Sequence, residues 1–61
     1  MPAHIISPAD LDPGDVIVTR AGSTVTVERV DAVEYGLFDI SGRGSDGEAV
    51  WVMDDEVELV Q

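Results

Sequence analysis

Sixty-one residues carrying thirteen carboxylates, three arginines and no lysine give a net charge of −10, with 44% hydrophobic residues and no cysteine. A chain this short is one domain that buries only about 60% of the surface its unfolded form exposes, so packing alone must hold it, without a disulfide or a thiolate metal site. The charge repels phosphate backbones and anionic membrane surfaces and favours basic protein partners, and no apolar run approaches the ~20 residues of a membrane span.

Residues 1–10 read as a leader ending in a short helical turn. They lack the basic region and apolar core of a signal peptide, which makes the cytoplasm the expected location. Ile5 and Ile6 are suited to an added edge strand. His4, the sole histidine, stands in this leader with nothing to hold it beside a nucleophile, so a solvated side chain is expected. Ser7-Pro8-Ala9-Asp10 is a helix start, with a serine cap, proline at the first helical position and an acid in the first turn. Asp12-Pro13-Gly14-Asp15 stops it after one turn, because proline then glycine at the central positions is the signature of a type II turn. Asp12 and Asp15 could in principle do paired acid–base work, but aspartate at such a turn more simply accepts hydrogen bonds from its own backbone.

From Val16 the periodicity becomes two, so residues 11–61 form the domain proper. Val16 and Val18 alternate with Ile17 and Thr19 in a first strand, and Ala21-Gly22-Ser23 is a tight hairpin connection. Val25, Val27 and Val30 mark a long second strand whose alternation slips near Glu28-Arg29, which predicts a β-bulge. Glu34-Tyr35-Gly36 turns the chain into a third strand from Leu37 to Ser41. Gly42 to Gly47 reads as a flexible loop before a fourth strand from Glu48 to Met53. Its glycines match a G-x-G-x-x-G spacing, yet no helix follows to hold a phosphate. Asp54-Asp55 is a short turn, and Val57 to Val60 close the sheet. The expected inward residues are Val16, Val18, Val25, Val27, Phe38, Ile40, Val57 and Leu59.

Leu11-x-Pro13-Gly14-Asp15 before an alternating strand, three hairpins, and an acidic turn into Val57-Glu58-Leu59-Val60 resemble the SH3-like small β-barrels over residues 11–60. The resemblance implies an all-β, five-stranded barrel with a one-turn helix before the first strand. It also implies a 3₁₀ turn at Asp54-Asp55-Glu56. It transfers no activity, because that architecture hosts many functions.

The usual activities of such barrels each lack a necessary feature here. Three aromatics, Tyr35, Phe38 and Trp51, cannot readily line a proline-peptide groove or a methyl-lysine cage. Basic loops and stacking platforms for RNA are missing. No triad, cofactor motif or calcium-loop signature is present, so no enzyme, no cofactor and no metal site are expected. Asp54, Asp55, Glu56 and Glu58 could offer oxygen ligands, but strand alternation makes a solvated face the simpler reading. For Trp51 two registers stay open: either Val50 and Val52 point inward and expose the indole, or Ala49, Trp51 and Met53 do.

The expected function is therefore an acidic protein–protein interaction module, an adaptor or inhibitor that engages a basic surface, such as that of a nucleic-acid-binding protein, by imitating phosphates. In size and acidity it is similar to small phage-encoded inhibitors. Direct nucleic-acid or membrane binding is not expected. The alternative is a structural or assembly role, as a homo-oligomer built through an open strand edge or as a subunit of a larger complex. The candidate interface is Trp51 with Glu48, Asp54, Asp55, Glu56 and Glu58, where the single tryptophan meets a base-free run of acids.

Overall fold

The computed structural model describes residues 4–60. The first three residues of the expected leader and the last residue of the expected domain lie outside that range. Six strands follow in chain order: β1 (His4–Ile6), β2 (Val16–Val18), β3 (Thr24–Ala32), β4 (Phe38–Gly44), β5 (Ala49–Asp54) and β6 (Val57–Leu59). They form one antiparallel sheet in the order β1-β6-β2-β3-β4-β5. The fold is all-β, as the period-two pattern implies. It has six strands instead of five, and the ladder is not closed, since β1 and β5 end the sheet without pairing to each other.

The sixth strand comes from the leader. Ile6 lies opposite Val57 and His4 opposite Leu59, which ties the exposed histidine into a ladder. Beyond it, the Ser7 Oγ accepts the Ala9 N–H at 3.2 Å and caps a 3₁₀ turn, Pro8–Asp10, whose proline is fully buried. The Pro13-Gly14 turn closes with the Asp15 N–H donating to the Asp12 carbonyl at 3.0 Å and Gly14 at φ +98°. It is the Asp15 carboxylate that accepts the Asp12 N–H, at 2.8 Å, so this acid staples its own turn.

The core is Leu11, Ile17, Val25, Val27, Ile40 and Val57, with Ile6, Val30, Val50, Val52 and Leu59 packed around it. Along β2 the phase is the reverse of the expected one. Ile17 is fully buried while Val16 and Val18 are half-buried. Three consecutive apolar residues carry no phase of their own. The pairing sets it, because Ile17 lies between Val25 on β3 and Leu59 on β6 and must share their face. Phe38 and Leu59, expected inside, are half-buried.

The β3–β4 register shifts between Val27 and Arg29, at the slip seen in the sequence. This bulge lets Val27 and Val30, three residues apart, both turn toward the core and bends the long strand. Gly42 and Gly44 belong to β4 and not to a loop. A methyl group on Gly42 would collide with the Thr26 carbonyl oxygen and come within 2.9 Å of its carbon. Glycine is there so that two backbones can approach. The loop proper is shorter, with the Gly47 N–H donating to the Gly44 carbonyl at 2.9 Å and Gly47 at φ +82°. Asp54 ends β5 and Asp55 bends the chain into β6, without the 3₁₀ turn that the barrel resemblance implied.

Candidate functional site

The residues of the expected interface are divided between separate neighbourhoods. Val50 and Val52 turn toward the core, which settles the register and leaves Trp51 63% exposed on the other face of β5. Ser41 is its neighbour across the β4 ladder, and Arg29 is the next residue in that row on β3. Glu48 lies in the hairpin before β5, and its carboxylate folds back to accept the Asp46 N–H at 3.2 Å. Beside it the Arg43 guanidinium donates to the Gly47 carbonyl at 3.3 Å and pairs with Glu28 at 3.5 Å.

Asp54, Asp55 and Glu56 gather around one arginine. Arg20, at the tip of the β2–β3 hairpin, lies 3.1 Å from Asp54, 2.7 Å from Asp55 and 3.9 Å from Glu56. The Asp54 Oδ1 also accepts the backbone N–H groups of Asp55 at 2.8 Å and Glu56 at 3.4 Å. Burial pushes the Asp54 carboxyl up, but those hydrogen bonds and the Arg20 charge outweigh it and hold the group below its ordinary value of 3.8. This acid run is a turn with its own counterion. Glu58 stands on β6, opposite Ile5 and Val18. With Ile5, Val18, Arg20 and Glu56 it lines a hollow of about 100 Å³, well below the ~300 Å³ at which ligand pockets begin.

The terminal strand β6 is paired on both sides, by β1 and β2, so it offers no open edge. The edge next to Trp51 is β5 itself. Met53, 46% exposed, follows Trp51 on the same face. With Val33, Glu34, Tyr35 and Leu37 it lines an open, mainly apolar hollow of about 290 Å³ at the end of the β3–β4 hairpin. Tyr35 is 92% exposed and holds φ +62°, ψ +33°, in the left-handed region, with Gly36 behind it at φ +73°. The Leu37 N–H donates to the Glu34 carbonyl at 3.2 Å across them. Positive φ at both central residues is the requirement of a type I′ turn, whose first slot favours asparagine or aspartate. A bulky tyrosine there is strained.

Charge around this apolar ground is negative. Asp31, Asp39 and Met53 form one row across β3, β4 and β5, next to the row of Arg29, Ser41 and Trp51. Arg29 pairs with Asp31 at 2.7 Å, whereas the buried Asp39 Oδ1 accepts no hydrogen bond among the described residues. Each arginine is thus engaged by an acid, and the acids remain in excess.

Sequence reasoning found Trp51 but not Val33, Tyr35, Leu37 and Met53 as its companions. One signal was present: an aromatic in the turn slot of Glu34-Tyr35-Gly36. Among the described residues no three His, Asp or Glu side chains are arranged to hold a metal ion, and no helix is long and apolar enough to cross a membrane. No family model, no curated protein and no solved structure matches this chain.

Proposed function

We propose that this protein is an acidic protein–protein interaction module that meets a basic partner surface through the exposed face of β5. The observation that carries this reading is Trp51, 63% exposed on an edge strand of a protein with thirteen acids and three arginines. An indole in that position keeps most of its apolar surface in water and gains no core packing, and tryptophan is among the side chains that most often anchor interfaces. The surrounding field would steer a cationic partner and repel nucleic acid. A basic surface of the kind that binds nucleic acid is the natural counterpart, which makes inhibition by mimicry one use of such a module.

The barrel resemblance remains part of the proposal. Support comes from β6, which returns after the β2–β5 meander to pair with β2, as a partly closed barrel requires. In this reading β1 is an addition to a five-stranded unit.

Selection of a displayed library of random peptides on the immobilised protein, at about 0.15 M salt, tests the proposal. Enriched peptides should be net basic, quench Trp51 fluorescence, and lose affinity for Trp51→Ala while Glu56→Gln/Glu58→Gln changes mainly the on-rate. Enrichment of acidic or neutral peptides, or binding indifferent to Trp51→Ala, would refute it. Duplex DNA should not bind.

A further inference from the structure

Hydrogen bonding along the ladders alternates strictly outside the bulge, and this determines which main-chain groups of β5 are free. The Gly44 N–H donates to the Glu48 carbonyl at 2.9 Å. Stepping in twos from that bond along the β4–β5 register directs the backbone groups of Val50, Val52 and Asp54 toward β4. Those of Ala49, Trp51 and Met53 face outward, and among the described residues β5 has no neighbour on that side. So the residues with exposed side chains are also the ones with unpaired N–H and C=O groups.

Natural edge strands are usually blunted by lysine, proline or a bulge, or kept very short. β5 spans Ala49–Asp54 and carries none of those residues, and its register against β4 is unbroken. Its single acid, Asp54, stands at its end and is occupied by its turn and by Arg20. Beside this edge lies the hollow of Val33, Tyr35, Leu37 and Met53. Tyr35 lines it in a backbone conformation that costs energy, and its side chain, 92% exposed, gains little packing among the described residues in return.

We propose that the β5 edge accepts an extended segment of a basic partner protein as a seventh strand, with an apolar side chain of that segment seated in the hollow that Tyr35 lines. The proposal rests on the interaction-module reading and specifies its mode. Strand addition supplies affinity through main-chain bonds at Ala49, Trp51 and Met53, and the hollow supplies selectivity. Charge selects the occupant. Glu34 lines the hollow, and Asp39, with an unpartnered buried oxygen, sits directly across from Met53. Lysine or arginine flanking the apolar anchor is therefore favoured. A second copy of this chain would bring a further −10 charge to the same edge and is disfavoured.

The test uses a basic peptide selected from the random library and the 61-residue chain. Amide exchange at Trp51 and Met53 should slow on binding. N-methylation of alternate peptide residues should abolish affinity in one frame and spare it in the other. Tyr35→Asn, which suits the turn, should keep the protein folded and weaken binding roughly thirtyfold, the loss expected for an interface anchor. If a basic peptide binds at Trp51 but tolerates N-methylation in both frames, strand addition is wrong while the module stands. If no basic peptide is selected, both readings fall. If the protein self-associates through β5 in analytical ultracentrifugation at low micromolar concentration, the occupant is a second copy and the partner assignment is wrong.

Discussion

Gly42 and Tyr35 occupy backbone positions that make opposite demands on a side chain. At Gly42 any Cβ meets the Thr26 carbonyl group, a backbone atom that cannot move without separating β3 from β4. Gly42→Ala should therefore cost roughly 3 kcal/mol, as overpacking against a fixed neighbour does, and urea denaturation would show it as a lower midpoint. A loss below about 0.5 kcal/mol would mean that the two strands are not this close. At Tyr35 the native side chain is the strained one. Tyr35→Asn should raise stability by about 0.5–1 kcal/mol, because asparagine tolerates the left-handed region that tyrosine resists. A gain in stability together with a loss of binding is what separates a residue kept for contact from one kept for folding. Asp54 shows the same local logic for charge. Its folded carboxyl is held below the ordinary 3.8, so its contribution is complete above that value and fades as the pH falls below it. Asp54→Asn should be less stable than wild type at pH 7, and the gap should close in acid. Thermal melts of the two proteins at several pH values measure the difference directly, and a gap that fails to narrow as the pH is lowered below 3.8 would contradict the assignment.

At the scale of elements, β1 and β5 are the two ends of the sheet and differ in their sequence signals. β1 is short, yet it covers β6 and places Ile6 against Val57 at the margin of the core. Ile6→Ala should cost about 1–2 kcal/mol, less than the full-burial figure because the residue is only half-buried, and far more than a frayed leader would lose. Hydrogen exchange at Ile6 gives an independent measure. The alternating run that became β5 was visible in the sequence, but not which of its faces is wet. That required the partner strand, since Val50 faces Gly42 and Val52 faces Ile40 on the core side. The bulge was legible because three valines at unequal spacing cannot share a face of a regular strand. The extent of β4 was not, since glycine signals both loops and close backbone approach, and only the neighbouring Thr26 tells them apart.

The whole molecule is dominated by its charge. Among the described residues the three arginines pair with Asp54, Asp55, Glu56, Asp31 and Glu28, and the other acids have no basic partner. Apart from the half-buried Asp54 carboxylate, the side chains of those pairs are exposed at the surface, and such pairs contribute little each. Like-charge repulsion should then outweigh them, and the melting temperature should rise between low salt and about 0.5 M NaCl as screening shortens the range of the field. A fall over the same range would show that the arginine pairs matter more than the excess acid. The same field opposes association of the open β5 edges, so sedimentation at low salt should find a monomer.

The sequence by itself determined the all-β class, the turns at Pro13-Gly14, Gly22 and Gly36, the capped turn at Ser7, the bulge after Val27 and the strongly negative field. Each of these follows from residues close together in the chain: a proline–glycine pair, a positive φ that glycine tolerates, a slip in alternation, a count of charges. Tertiary structure alone decided the phase of β2, the exposure of Trp51, the capture of Asp54 by Arg20 and the grouping of Val33, Tyr35, Leu37 and Met53 beside an open edge. These depend on which strand lies next to which. In strands such as β2 and β5, apolar on both faces, local pattern leaves that choice open, and the pairing of distant residues makes it.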